Sequence, residues 1–430
     1  MADFGYLVKI RLLKINNLIL MKKNNDIKNF VDKCILIRSI FSHVFFKYFI
    51  QVRFVRFKVL ILLVLFSFTS KNSIEFGLPV IDLTKIPEKE NTVNISRFVS
   101  KITYLPLETN EECLIGTNAK FYLYDSIIVC CAFRQIFIFN SKDGKFIKSI
   151  GEYGRGPTSF SNSRNSYIKN GDVLISALNW EYPLIEFSVN GTVLNRLKTE
   201  RYPRDIAWLN DNLYAIYYNK NSISDSLKLQ IYNSKNRKTV STFYDYREFK
   251  DSPKRTMFGA FFYNYNNKLF IKEYFNDTVF RVTSEKLIPN FVFHSGKYSP
   301  PFYEKDVFDF VQYHSINTII ETEHLIFFRL HFKKQTYYCY FDKLTDQVQI
   351  PNYKNSKING FNNDIDGFMK FSPLTVSENN ELIGYLESYK IKQWFKENPD
   401  KAAKLPPHLQ KLKNIKETDN PVVIIAKLKD

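Results

Sequence analysis

The chain has 430 residues and a formal net charge of +18 at pH 7, with 61 Lys and Arg against 43 Asp and Glu. Residues 1–71 hold 13 Lys and Arg against 3 Asp and Glu, whereas the remaining residues hold 48 against 40. A basic excess spread so thinly over the rest of the chain does not form the clustered face that nucleic-acid backbones require, so no nucleic-acid partner is expected.

The N-terminal region divides into three segments. Residues 1–50 lack turn signals and are expected to be disordered or to precede the true start. Residues 51–72 resemble a secretory leader, because basic residues precede the apolar run Val59–Phe68, VLILLVLFSF. This run of ten residues, of which only Ser67 is not apolar, is too short to span a membrane comfortably, and the alternative is a buried strand or helix. Residues 73–94 are interpreted as a linker to a domain that covers 95–430.

A hairpin pattern of apolar strand, polar turn and second strand recurs through the domain. Its copies are IFIFNSKDGKFI around Phe139, LIEFSVNGTVL around Phe187, LQIYNSKNRKTV around Ile231, VFRVTSEKL around Phe280 and YYCYFDKLTDQVQI around Tyr340. The first four recur roughly every 40–50 residues, which is the period of one propeller blade. Aromatic residues make up 16% of the chain and favour strands. The sequence therefore predicts an all-β fold, a six-bladed β-propeller with four-stranded antiparallel blades.

The C-terminal part predicts how the ring ends. Residues 391–404, IKQWFKENPDKAAK, are expected to form a short helix that Pro399 limits. Residues 420–429, NPVVIIAKLK, are expected to form a last strand. This strand is predicted to close the ring, with both ends of the domain completing one blade.

Several motifs give the chain a resemblance to a known family. They are YLPLET at Tyr104–Thr109, FIKSIGEYGRGP at Phe146–Pro157, FNDTVFRVT at Phe275–Thr283, CYFDK at Cys339–Lys343, GFNNDIDGFMKFSP at Gly360–Pro373 and NPVVIIAKLK at Asn420–Lys429. The chain resembles the six-bladed, NHL-like β-propeller proteins of the Bacteroides type, many of which are exported lipoproteins of unassigned function. The resemblance implies the propeller fold and a location in the cell envelope, and it implies no reaction.

One departure from that family concerns the anchor. Lipoproteins carry a Cys directly after the apolar run, but the chain has no Cys between Cys34 and Cys113. We therefore expect export to the periplasm or cell envelope without a lipid, with membrane contact only through the leader. The four later cysteines are expected to be buried free thiols. Because Cys130 and Cys131 are adjacent in a predicted strand, they should face opposite sides of it.

The densest glycine cluster is Gly151–Pro157, GEYGRGP. Its spacing matches no phosphate-binding loop, so an inter-blade turn is the simpler interpretation. Arg155 in this turn is a candidate anion ligand at the channel mouth. Trp180 and Tyr182, which lie beside a loop, are candidate aromatic contacts for a sugar or peptide.

The most polar cluster is Asn362–Gly367, NNDIDG. In an extended segment Asp364 and Asp366 face the same side, and Ca²⁺ favours such oxygens. The two residues are therefore candidate ligands for Ca²⁺ or for a bound molecule. The alternative is an Asx-type turn that ties one blade to its neighbour without an ion.

These observations favour an exported, monomeric binding propeller over an enzyme. Its ligand is expected to be a small molecule, a glycan or peptide, or an envelope protein. Two alternatives stay open: an envelope lyase or hydrolase with a metal in the central channel, and a sensory or scaffold subunit of an envelope complex.

Overall fold

The computed structural model describes residues 77–429 except 157, 170, 180, 200–202, 219–226, 245–258, 275 and 300–310. The prefix and leader predicted for residues 1–72 lie outside this part of the chain. In chain order the strands are β1 Val80–Asp82, β2 Val99–Pro106, β3 Lys120–Leu123, β4 Ile127–Ala132, β5 Gln135–Asn140, β6 Phe146–Ser149, β7 Asn162–Lys169, β8 Asp172–Leu178, β9 Leu184–Ser188, β10 Val193–Leu197, β11 Asp205–Asn210, β12 Leu213–Tyr217, β13 Leu227–Asn233, β14 Lys238–Tyr244, β15 Ala260–Tyr265, β16 Lys268–Glu273, β17 Thr278–Val282, β18 Leu287–His294, β19 Ser315–Glu321, β20 Leu325–Phe332, β21 Gln335–Asp342, β22 Gln347–Gln349, β23 Ile358–Asn359, β24 Thr375–Val376, β25 Glu381–Leu386 and β26 Val422–Leu428.

The strands form six sheets, which are the six blades of a β-propeller. Blade 1 is β3–β6, blade 2 is β7–β10, blade 3 is β11–β14, blade 4 is β15–β18, blade 5 is β19–β22 and blade 6 is β24–β26 with β2. Within each blade successive strands pair antiparallel, as predicted. The recurring hairpins are the two outer strands of blades 1 to 5, with β5–β6 around Phe139 as the first example.

The chain enters every blade from the same face of the ring. Four antiparallel strands return the chain to the face where the blade began, so the inner strands β3, β7, β11, β15, β19 and β24 all start there. We call this the top face. The connections between the second and third strands of each blade lie at the same face.

Six hydrophobic clusters fill the six interfaces between neighbouring blades. Strand β4 shows how the sequence produces two of them. Ile128 and Cys130 face blade 6, whereas Val129 and Cys131 face blade 2. A strand buried on both faces needs a continuous apolar run, which is why IIVCCA does not alternate with polar residues. The four described cysteines are buried and free, as predicted.

Blade 6 closes the ring with strands from both ends of the domain. The N-terminal strand β2 pairs antiparallel with β26, from Val99 opposite Leu428 to Pro106 opposite Val422. This confirms the closing role predicted for the last strand. Asn420 holds the junction: its Nδ2 donates to the carbonyls of Glu108 and Cys113 at 2.6 and 2.7 Å.

The helices lie in the connection between β25 and β26, which places them at the top face. They are α1 (Ser388–Glu397), α2 (Pro399–Ala403) and α3 (Pro407–Gln410), with short 3₁₀ turns at Ile95–Arg97, Gly296–Tyr298 and Lys411–Asn414. The predicted helix is present, and Pro399 begins a new helix. No helix in the described part of the chain is long and apolar enough to cross a membrane.

The segment predicted as a linker, residues 73–94, contributes a strand to the propeller. Within it β1 pairs parallel with β18, so that Val80 lies opposite Val292 and blade 4 gains a fifth strand. Ile81 is fully buried in the cluster between blades 4 and 5. The apolar alternation of this short strand is too weak a signal to detect in the sequence.

The closure makes Asn420 a sensitive position. Asn420→Ala leaves the carbonyls of Glu108 and Cys113 and the amide of Ile115 without their partner in a buried site. We expect the free energy of unfolding to fall by about 2–3 kcal/mol in urea titrations. The exposed Asn379 provides a control, and Asn379→Ala should change it by less than about 0.5 kcal/mol. Equal effects of the two variants would contradict this role of Asn420.

Candidate functional site

The inner strands surround a central channel. Its cavity has a volume of about 2780 Å³ and is lined by residues from all six blades and from the helical connection. This is larger than the ~300–1,000 Å³ of a typical small-molecule site, so the channel has room for an extended ligand. Ligand sites in closed β-architectures commonly use such central openings.

The top mouth of the channel is basic. Lys120 begins β3, Arg164 lies near the start of β7, Arg204 precedes β11, and Arg329 reaches the cavity from β20. Asp205 is the one carboxylate among the described residues at the starts of these strands. The four cationic side chains therefore face a common opening with one carboxylate beside them, while Glu387 in the helical connection pairs with Lys390. We call this group the basic mouth.

Hydrogen bonds and an ion pair hold the basic mouth in place. Arg164 forms an ion pair with Asp205 at 3.6 Å. Lys120 Nζ donates to Asn165 Oδ1 at 3.1 Å, which joins blades 1 and 2. On the other side of the channel Arg329 Nε donates to Asn317 Oδ1 at 2.7 Å.

Two β-bulges direct side chains at this mouth. The pairing of β7 with β8 shifts between Ser163 and Asn165, which makes Arg164 the extra residue. The pairing of β19 with β20 shifts in the same way between Ile316 and Thr318, around Asn317. Bulges change the direction of a side chain and are common beside functional sites. Blades 2 and 5, which lie opposite each other in the ring, therefore both have a β-bulge in the inner strand.

The charges perturb one another. Solvent reaches the Lys120 amine through the channel, but the surrounding walls remove part of its hydration. Burial thus lowers the pKa of Lys120; the Asp205 carboxylate opposes this and the guanidinium groups of Arg164 and Arg329 add to it. Burial also raises the pKa of Asp205, although Arg164 and Lys120 favour its ionised form. Such perturbed groups in a cleft are typical of functional sites.

The opposite end of the channel has a different character. Asp211, Glu321, Glu323 and Glu378 line the cavity near the C-terminal ends of the inner strands. Glu321 is buried and bonded, because Lys343 Nζ lies 2.8 Å from its Oε1 and Tyr263 donates to its Oε2 at 2.9 Å. The channel therefore runs from a basic mouth to an acidic end.

The helical connection adds aromatic and basic groups above the basic mouth. Lys390 and Trp394 from α1 and Lys401 from α2 line the cavity. Trp394 packs against Phe368 and Phe395 with ring centroids 4.7 and 5.4 Å apart. These contacts hold the Trp394 indole at the wall of the cavity, where a ligand in the mouth would contact it.

Two other buried carboxylates have a structural role. Glu186 in blade 2 accepts a hydrogen bond from Tyr214 of blade 3 at 2.6 Å and pairs with Lys169 at 3.4 Å. Glu273 in blade 4 pairs with Lys228 of blade 3 at 2.7 Å. Neither lines the cavity among the described residues. They fasten neighbouring blades together.

The candidates from the glycine-rich turn and the nearby loop lie at the top face. Arg155 is exposed in the connection between β6 and β7, and Tyr182 is half-buried between β8 and β9. Neither is among the residues that line the channel. Gly151 has a φ of +61° and packs closely on Phe160, which supports the inter-blade turn. Trp180 lies outside the described residues.

The two candidate aspartates have separate hydrogen-bond partners. Asp364 is exposed and accepts bonds from the amide and hydroxyl of Ser96. Asp366 accepts bonds from Tyr104 Oη at 3.0 Å, Asn363 Nδ2 at 2.6 Å and the Phe368 amide at 2.9 Å. These bonds tie the segment to the 3₁₀ turn before β2 and to β2 itself, the outer strand of blade 6. Neither aspartate is among the channel-lining residues.

Calcium binding at this cluster stays a prediction. No group of three or more His, Cys, Asp or Glu side chains in the described residues has a metal-binding arrangement. Melting curves with calcium and with a chelator test the prediction directly. A calcium-dependent rise that Asp364→Asn abolishes would support an ion at Asp364 and Asp366.

Sequence reasoning missed the residues of the basic mouth. Lys120, Arg164, Arg204 and Arg329 are isolated in the sequence, and none belongs to a known motif. The sequence does contain one indication of these residues, which is their equivalent position in the blade repeat: three of them lie at or beside the first residues of an inner strand. Aligning the hairpin copies and reading back to the inner strand of each unit would have found them.

The protein is thus a six-bladed β-propeller with a charged central channel. Within that class, the chain belongs to the family described as Domain of unknown function (DUF4934), whose model matches residues 78–427. No curated protein matches the sequence.

Two solved structures are similar to this chain. One is the "Putative exported protein" of Bacteroides fragilis, which is 16% identical, with a TM-score of 0.64 over 82% of this chain and 100% of that one. The other is a member of the DUF4221 family from Bacteroides vulgatus, which is 12% identical, with a TM-score of 0.47 over 79% of this chain and 99% of that one. At 16% identity, the similarity to the Bacteroides fragilis structure supports the propeller fold alone.

The different environments of the two aspartates predict different effects of mutation. Asp366→Ala leaves the Tyr104 hydroxyl and the Phe368 amide without an acceptor and removes one of the two acceptors of Asn363 Nδ2. We therefore expect a loss of about 2 kcal/mol in the free energy of unfolding, measured in urea. Asp364→Ala removes bonds at an exposed site and should cost less than about 1 kcal/mol. A larger loss for Asp364→Ala than for Asp366→Ala would contradict the assignment.

Proposed function

We propose that the protein is an exported binding propeller that holds a small ligand, a short glycan or a peptide in the top mouth of its channel without transforming it. The supporting observation is the concentration of charged, amide and aromatic side chains around this opening. Most of the polar side chains that surround the mouth come from different blades. A site assembled in this way is pre-formed by the ring, which lowers the entropy cost of binding.

Export is part of the proposal. It is supported by the leader-like pattern of residues 51–72, with its basic flank and short apolar run. The name of the similar Bacteroides fragilis protein agrees with it. The sequence is consistent with two outcomes of export. The protein is either released into the periplasm or held at the cell envelope by the leader.

A second candidate function is the recognition of an envelope protein. It is favoured by an exposed group on the top face. Arg134 lies between the rings of Phe133 and Tyr153, with its guanidinium carbon 4.7 and 4.4 Å from their centroids. Phe133 and Tyr153 are 48% and 46% exposed, and aromatic and Arg side chains are enriched in protein interfaces.

Tryptophan fluorescence tests the channel site. Of the three tryptophans in the chain, Trp208 and Trp394 line the cavity. A ligand in the mouth should change the emission of the full-length protein saturably, and Trp394→Phe should remove most of that change. The titrated probes are maltotriose, trigalacturonate, Ala-Ala-Ala and Glu-Glu-Glu, which pair a neutral with an anionic member of each class.

The control is Trp208→Phe, because Trp208 lies on an inner strand within the channel rather than on the helical connection. This variant should retain the response to a ligand bound at the top mouth. A probe that binds by calorimetry but changes the emission of neither tryptophan would place the ligand outside the channel and contradict the proposal.

A further inference from the structure

We propose that the basic mouth is an anion site and that the ligand carries at least two negative groups, either carboxylates or phosphates. This inference rests on the proposed function and specifies the chemical class of its ligand. The site consists of Lys120, Arg164, Arg204 and Arg329, with Asn165 and Asn317 in support.

The charge balance is the first argument. Four cationic side chains from blades 1, 2, 3 and 5 converge on one opening, and the described inner-strand starts contribute only Asp205 against them. Like charges held together by a rigid fold repel one another, and a bound anion would relieve that repulsion. A cleft lined by one sign of charge also concentrates ligands of the opposite sign.

The local geometry is the second argument. Two of the cations are held by hydrogen bonds that leave their charges uncompensated, since the oxygens of Asn165 and Asn317 are neutral acceptors for Lys120 and Arg329. The single ion pair, between Arg164 and Asp205, is long at 3.6 Å. Guanidinium groups bind planar carboxylates and phosphates through two parallel hydrogen bonds.

The arrangement of the cations around the ring favours a ligand with more than one negative group. Arg164 and Arg329 belong to opposite blades, whereas Lys120 and Arg204 flank Arg164 in the ring. One carboxylate or phosphate on the side of blades 1 to 3 leaves Arg329 to a second group. A ligand with two charged groups therefore satisfies both sides of the mouth, and a singly charged ligand does not.

Protonation of the mouth predicts how binding depends on pH. The charged and titratable groups that influence Lys120 are Asp205, Cys131, Arg164 and Arg329. Because the pKa of Lys120 is lowered and that of Asp205 is raised, a fall in pH adds positive charge to one and removes negative charge from the other. Both changes favour an anion, so affinity should increase as the pH falls.

The test uses citrate and pyrophosphate as the carboxylate and phosphate probes, with sodium chloride at matched ionic strength. We expect one or both to raise the melting temperature of the full-length protein by several degrees above the chloride control. Calorimetry should show an affinity that decreases with added salt, and that decreases with rising pH over the range in which the charge of the probe itself is constant. The stronger of the two probes identifies the carboxylate or the phosphate as the preferred group.

Four variants make the test specific. Arg164→Gln and Lys120→Met should each weaken binding by about tenfold, as expected for the loss of a charge-assisted contact. Asp205→Asn should strengthen it, a gain that a misfolded protein would not show. Lys238→Met removes a charge from the outer strand of blade 3 and should leave the affinity unchanged.

Two results would overturn the inference. One is that neither anion raises the melting temperature beyond chloride. The other is that the double variant of Lys120→Met and Arg164→Gln binds both anions as tightly as the original protein. If maltotriose or Ala-Ala-Ala still changes the fluorescence of Trp394 in that case, the channel remains the binding site and only the anion assignment fails.

Discussion

The structure depends on one pairing, that of β2 with β26. A single blade exposes two apolar faces that only its neighbours can cover, so the six hydrophobic clusters require a complete ring. The ring is complete only when β2, from the N-terminal part of the propeller, pairs with the last strand, β26. Asn420 fixes this junction through bonds to the connection after β2. The six hydrophobic clusters therefore depend on the pairing of β2 with β26, whose residues lie more than 300 positions apart in the chain.

Ring closure also creates the site. Because all inner strands start at the same face, residues that are distant in sequence come together around one opening. Lys120 and Arg329 are an example: they belong to blades 1 and 5, and both line the top mouth. The helical connection of blade 6 adds Trp394 to the same face. The rigid ring positions these groups before any ligand arrives, at the cost of holding like charges together.

The sequence predicted the fold more completely than the site. The hairpin period, the turn residues and the last strand depend on local patterns, and these predicted the blades and the closure correctly. The β1 strand was missed because its three residues are stabilised by pairing with β18, which no local pattern reports. The candidates Arg155 and Asp364 were chosen from dense polar clusters. The basic mouth instead consists of single residues from four blades, and their proximity follows only from the ring.

The most direct test of this account is a crystal structure with selenate, whose anomalous scattering locates the anion. The account predicts selenate between Arg164 and the neighbouring cations of the basic mouth, and its loss from that position in Arg164→Gln crystals. Selenate bound only at the outer surface, with the mouth unoccupied at a saturating concentration, would contradict it.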